Sequence, residues 1–230
     1  MSPLLHPEAA PEWLRGLVDA CGRVSPDDVP FRRRPGGNGR EAAVVLLFGD
    51  DGPEPDVVLT ERAADLRSHA GQAAFPGGGV DPADGTGLDG LVTAGLRETE
   101  EEIGADPAGI VPLATLPPLT IPVSGFAVTP VLAHWATPMP IGVVDPGETA
   151  AVVRVPLSEL TDPARRFTVT SPGGYQGPAF TVRGLLVWGF TAGVLSWVLD
   201  LAGWTIPWER SDVRDLGEAW ARRHEGEAIR

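Results

Sequence analysis

Residues 97–104 read Arg-Glu-Thr-Glu-Glu-Glu-Ile-Gly, and this short run sets the expectations for everything around it. At about 100° per residue, a helix places Glu98, Glu101 and Glu102 within about a 100° arc of one face. Like charges at that spacing destabilise a helix, so something must offset them. A hard divalent cation is the simplest compensation, and oxygen-only ligands of this kind suit Mg²⁺ or Mn²⁺. Arg97 stands four residues before Glu101 and is placed to orient that carboxylate. A Glu-rich helical stretch is by itself usually a solvated face, so the metal reading depends on its company.

Working outward, Leu91, Ala94 and Leu96 lead a helical pattern from Leu88 to Ile103, and Gly104 suits the position just past a helix end. Residues 61–87 carry many glycines and few periodic apolar positions apart from Ala73 to Phe75, which predicts a long functional loop. Before it, Ala42 to Phe48 is a continuous apolar run of strand length, and Asp56 to Thr60 predicts a second strand. Downstream, Ile110–Leu116, Phe126–Trp135 and Ala150–Pro156 read as strands, and Phe167–Thr170 pairs with Ala179–Val182. Leu186 to Leu201 is expected as a second long helix. At the N-terminal end, Pro11 to Ala20 predicts a short amphipathic helix with Trp13, Leu14, Leu17 and Val18 on one stripe, followed by a linker over 22–40. Strands and helices mix without strict alternation, which predicts an α+β fold built on a mixed sheet between helices.

Two motifs then meet. Arg-Glu-x-x-Glu-Glu-x-Gly at 97–104 resembles the core of the Nudix box, Gly-x5-Glu-x7-Arg-Glu-U-x-Glu-Glu-x-Gly-U, with U aliphatic. Counting back from Arg97, the Glu slot holds Asp89 and the Gly slot Ala83, whereas the glycines stand at Gly77, Gly78 and Gly79. An insertion within Asp84 to Gly90 is therefore expected. The U positions hold Thr99 and Ala105. Upstream, Leu59-Thr60-Glu61-Arg62-Ala63, Arg67, Gly71 and Phe75-Pro76-Gly77-Gly78 resemble the signature of the coenzyme A pyrophosphatases, as do Pro122–Phe126 with Val128–Pro130, and Trp188–Ala192. Gly79 stands where members of that group often have Lys.

The resemblance implies a Nudix domain over 41–204, an α/β/α sandwich, with an N-terminal helix and linker over 1–40 and a C-terminal extension over 205–230. It implies metal binding by Glu98, Glu101 and Glu102 with a carbonyl of Gly77, and catalysis by these glutamates with Arg97. Arg62, Arg67, His69 and Gly78 are the expected substrate-binding residues, since arginine forks match phosphate oxygens. His69 suits a phosphate bond or proton transfer as well as an ordinary loop contact with a residue such as Gln72. Glu148 is a further candidate ligand or water-positioning group, and His134 is expected to be structural. The implied reaction is divalent-metal-dependent cleavage of coenzyme A, or a derivative, to 3′,5′-ADP and a 4′-phosphopantetheine product. Hydrolysis of ADP-ribose or another nucleoside diphosphate derivative is the second reading. A nucleotide-binding module without turnover is the third.

Composition agrees with a small-molecule enzyme. Thirty-one acidic residues against eighteen arginines and no lysine give a net charge of −13, which excludes the broad basic surface of a nucleic-acid binder. The basic run Arg32–Arg34 is better read as solvated linker. One cysteine, Cys21, cannot form an intramolecular disulfide. Gly184 to Leu199 is too short and too polar at Thr191 and Ser196 for a bilayer span, and no secretory leader pattern opens the chain. A cytoplasmic location without membrane association is expected. The additions at either end are placed to pack on the core or to make a homodimer contact, and a homodimer is expected.

Overall fold

The apolar run at 42–48 forms β1 (Glu41–Gly49), the centre of the larger sheet in the computed structural model, which describes residues 2–29, 39–66, 69–121 and 125–223. Ala43, Val45 and Leu47 enter one core, while Leu46 and Phe48 enter another. Burial on both faces is why the strand is apolar at nearly every position rather than at every second one.

One edge of β1 is shared by two antiparallel partners. β2 (Asp56–Arg62) pairs with its end, Phe48 opposite Val57, across the turn-rich stretch 50–55. Within the glycine-rich region lie two short strands, β3 (Ala73–Ala74) and β4 (Gly77–Gly79). The expected long loop therefore carries strands: β3 falls in the excepted apolar stretch and pairs with β2, and β4, where a loop is expected, pairs with the first half of β1, Val44 opposite Gly77. Glycines hide such pairing because they carry no apolar alternation to read.

Helix α2 (Gly87–Ile103) covers one face of the sheet, burying Leu91, Val92 and Ile103 against Ala43, Val45 and Leu47. Gly95 permits the close approach, since a Cβ there would stand 3.0 Å from Val45 Cγ2. Gly104 ends the helix in the left-handed region at φ 74°, with its N–H donated to the Glu100 carbonyl, as the sequence predicts. The sheet is completed by β5 (Ile110–Thr115), β6 (Leu119–Thr120), β7 (Ala127–Trp135) and β8 (Thr149–Pro156). β7 runs parallel to β1, β5 and β6 antiparallel to β7, and β8 antiparallel to β2.

A short helix, α3 (Leu157–Thr161), leads to a second sheet made of β9 (Arg166–Thr170), β10 (Gln176–Val182), β11 (Leu185–Val187) and β12 (Val213–Asp215), in spatial order β11-β10-β9-β12. The second long helix begins later than expected. Leu185–Val187 return as a hairpin strand on β10, and α4 is confined to Gly189–Leu201. The cause is the two-residue turn Arg183-Gly184, with φ of 50° and 76°, between the paired residues Val182 and Leu185. Trp188 accordingly lies outside the helix.

α1 (Glu12–Cys21) and α4 cover the other face of the main sheet, packing Leu14, Leu17, Val194 and Val198 with Leu46 and Phe48. Trp13 sits 6.1 Å from the Phe48 ring and 6.0 Å from Trp204, and its indole N–H donates to Asp50. His134 Nε2 stands 3.1 Å from the same Asp50, the structural role expected of it. A final short helix, α5 (Leu216–Ala221), follows β12. The result is a mixed sheet between helices, and no described helix is long and apolar enough to cross a membrane.

Candidate active site

The last two turns of α2 lie beside β4, so that the carboxylates of Glu98 and Glu102 meet the glycines at 78 and 77. Arg97 organises the acidic groups around it. Its Nε and Nη2 donate to Asp84 Oδ1 and Oδ2, both at 3.0 Å, in a two-pronged bond. Nη2 also donates to the Gly79 carbonyl at 3.2 Å. Nη1 reaches Glu98 Oε1 at 2.9 Å and Glu101 Oε2 at 3.0 Å. The bond to Glu101 is the orienting contact that the spacing predicts. Surrounded by carboxylates, Arg97 holds its proton well above the usual arginine range, and Asp84 is held below the usual carboxylate range chiefly by its bond to Arg97.

Asp84 corrects the alignment read from the sequence. Counting back from Arg97 assigns the acidic slot of the motif to Asp89, yet Asp89 accepts a bond from Ser2 Oγ instead. The residue that clamps Arg97 is Asp84, which also accepts the Asp81 N–H at 2.8 Å. Counting forward from Gly78 restores the Gly-x5-acid spacing onto Asp84. The extra residues therefore lie after Asp84, around Gly85 (φ 92°) and the start of α2. Counting from the glycine end as well as from the arginine was the signal that would have found it.

Glu102 is the deepest of the three glutamates, its side chain only 9% exposed. It accepts the Gly77 N–H at 3.2 Å, and the nearest cation is Arg62, whose Nη1 stands 4.0 Å away. Burial pushes its pKa up to about 7, against the pull of Gly77 and Arg62 and with the push of Glu98 and Glu148. Glu98 is raised too, again mainly by burial, while Arg97 lowers it. Its carboxyl sits over Gly78, where a Cβ would come within 2.6 Å of the Glu98 oxygens and force the carboxylate to move. Glu101 is the exposed member of the set, and Thr99 is buried with its hydroxyl on the Gly95 carbonyl at 2.7 Å.

Arg62 is fixed by its backbone: its N–H donates to Gln72, and its carbonyl accepts from Gly71, both at 3.0 Å. The neighbouring Ala63 N–H donates to the Glu148 carbonyl at 2.9 Å, which brings Glu148 to the same end of the sheet. His69 adopts φ 58° and its Nδ1 stands 2.8 Å from Gln72 Oε1, a local loop contact on an exposed side chain. Arg67 and the stretch 122–124 lie outside the described residues.

The structure thus brings together Glu98, Glu102, Gly77, Gly78 and Arg62, with Glu101 and Arg97 at the solvent side. Among the described residues, no three carboxylates or imidazoles converge into a ready-made coordination shell. The donor chemistry nonetheless fits a hard divalent cation. Glu98 and Glu102 are both raised by desolvation, Glu98 despite Arg97 at 2.9 Å and Glu102 with Arg62 4.0 Å away, so further positive charge beside them would relieve the penalty. The Gly77 group seen in use is its N–H, on Glu102.

Comparison with known proteins places these features in context. Residues 38–130 match the family described as the NUDIX domain. The chain is 38% identical over 161 residues to "Uncharacterized Nudix hydrolase NudL" of Cronobacter sakazakii, covering 69% of this chain and 80% of that one. The NudL protein of Escherichia coli O9:H4 is 34% identical over 163 residues, with the same coverage of 69% and 80%. Among solved structures, the Nudix hydrolase RenU from M. smegmatis shares the fold with a TM-score of 0.50 at 18% identity, over 74% of this chain and 89% of that one.

Proposed function

Since the chain belongs to the Nudix hydrolases, we propose that it hydrolyses the diphosphate linkage of coenzyme A or a coenzyme A derivative, releasing 3′,5′-ADP and a 4′-phosphopantetheine product. The observation that carries this reading is the placement of Arg62, from the upstream motif, against Glu102 of the carboxylate helix, 4.0 Å apart. The upstream motif, which resembles that of the coenzyme A pyrophosphatases, thus meets the Nudix-box helix at Arg62 and Glu102.

Glu98, Glu101 and Glu102 would hold Mg²⁺ or Mn²⁺, which when bound neutralises diphosphate charge and lowers the pKa of an attacking water. The chain supplies the rest. Arg97 keeps Glu98 and Glu101 oriented from the solvent side, and the Gly77 N–H keeps Glu102 turned inward. Arg62, with Arg67 and His69 from the same loop, would bind the diphosphate oxygens as cationic and neutral donors. Gly78 lets the backbone approach without displacing Glu98. One of the half-buried glutamates, Glu98 or Glu102, takes the proton of the water.

The test is a product assay with each metal on coenzyme A, an acyl-coenzyme A, ADP-ribose, a dinucleoside polyphosphate and a nucleoside triphosphate. Release of 3′,5′-ADP with the highest kcat/KM on the coenzyme A pair supports the proposal. Preference for ADP-ribose transfers the same chemistry to another substrate. Binding without turnover across the panel would make the chain a nucleotide-binding module.

A further inference from the structure

The C-terminal additions build a second cavity that the carboxylate chemistry does not use. It has a volume of about 620 Å³, in the range of small-molecule sites, between the second sheet and α5. Its floor includes the Phe167 ring, and its walls carry four arginines, Arg165, Arg214, Arg222 and Arg223, against two carboxylates, Asp215 and Glu218. In a chain of net charge −13 this is a local concentration of arginines.

The arginines differ in how they are held. Arg165 lies 3.6 Å from Glu159 and 3.7 Å from Asp162, and Arg214 is gripped by Asp212 at 2.6 Å and 3.1 Å. Arg214 also lies over the Phe167 ring, its Cζ 3.9 Å from the centroid. Arg223 is stacked 4.3 Å over Trp220 and donates Nη1 to the Trp220 carbonyl at 2.9 Å, while its Nε is buried without a partner. Among the described residues neither Arg222 nor Arg223 has a carboxylate within ion-pairing distance. Stacking on Trp220 and the Nη1 bond fix the Arg223 guanidinium plane, so the ordering cost of gripping an anion through its remaining N–H groups is reduced in advance.

We infer that this cavity binds a phosphorylated small molecule, with Arg222 and Arg223 as the principal phosphate contacts. Arginine forks match phosphate oxygens, and the volume leaves room for an organic part beyond the phosphate. The inference is independent of the proposed hydrolytic activity.

The experiment is calorimetric titration of the full chain with pyrophosphate and with AMP in EDTA, which keeps divalent cations out of the carboxylate site. One binding event is expected for each probe, weakened at least tenfold in both Arg222→Glu and Arg223→Gln and unchanged in Glu102→Gln. Arg222→Glu is expected to leave diphosphate hydrolysis as in the wild type, since the exposed Arg222 takes no part in that site. Arg222→Lys, which keeps the charge, is expected to retain most of the affinity. Absence of binding by both probes, equal affinity in the wild type and both arginine variants, or loss in Glu102→Gln alone would each overturn the inference.

Discussion

Asp84 and Asp89 offer the sharpest separation of roles at the scale of the residue. Both are acids upstream of Arg97, but only Asp84 bonds it, at 3.0 Å through each oxygen. Asp84→Asn keeps the shape and removes the charge that fixes Arg97, and with it the orientation of Glu98 and Glu101. Loss of such an orienting partner typically lowers metal affinity or activity by about 10- to 100-fold. A fall of that size is expected for Asp84→Asn and none beyond about twofold for Asp89→Asn, as measured by kcat/KM and metal titration. Glu102→Gln should lower turnover by about 100-fold or more, as expected for a group that acts on the reacting water or holds its cation. Its Tm in EDTA should hold or rise, because the change removes a buried charge that has one cation 4.0 Å away and keeps an oxygen for the Gly77 N–H. Cys21 makes a third case. It is 5% exposed, and burial raises its thiol to about 11. A raised acid gives stability that is complete below the unfolded pKa of about 9 and is lost as pH rises through the folded value. Thiol reagents at pH 8 should therefore leave the native protein unmodified and label it fully in denaturant. Rapid native labelling would contradict this burial.

Elements show why adjacent glycines are not equivalent. At Gly77, φ is 149° and an added Cβ would stand 2.6 Å from Val44 Cα, inside the β1–β4 pairing. At Gly79 the nearest heavy atom is Phe126 Cε1 at 3.8 Å. Gly77→Ala is expected to destabilise by about 3 kcal/mol or more, combining backbone strain with a clash that no flexible side chain can yield to. Gly79→Ala should fold with near wild-type Tm, and thermal melts of the pair decide the matter. The same elements show what the sequence discloses. β1 and α2 were legible because period and burial coincide: Ala43, Val45 and Leu47 serve one core, Leu46 and Phe48 the other, and Leu91 and Ile103 mark one helical stripe. β4 was not, because three glycines have no pattern. β11 is hidden because Leu186 and Val187 continue the apolar composition of α4; the Arg183-Gly184 turn folds them back onto β10, and extended Trp188 with Gly189 at φ 66° separates them from the helix. The carboxylate set was legible from spacing alone, whereas Asp84 required knowing where the extra residues had gone.

Across the whole molecule, the C-terminal segment joins the second sheet to the end of β2 and the loop after it, which carry Arg62 and His69. β12 adds to β9, and α5 packs Leu216, Ala219 and Trp220 with Phe167, Val169 and Leu186. Trp220 then reaches the loop itself: a Cβ on Gly71, where φ is 68°, would stand 3.1 Å from Trp220 Cζ2. Gly71 donates its N–H to Arg62, so the indole braces the backbone that positions a proposed substrate-binding arginine. Removing the brace leaves the carboxylates and Arg97 untouched, so the chemical step should survive. What changes is the ordering cost of the loop, which must then be met on binding and is about 1 kcal/mol for a freed side-chain-sized unit. Trp220→Ala is accordingly expected to raise KM by about fivefold with kcat within about twofold, and Trp220→Phe to recover most of the loss. Equal falls in kcat and kcat/KM would instead mean that the indole acts on the carboxylate site. A lowered Tm with unchanged kinetics would leave it as packing for the second sheet alone.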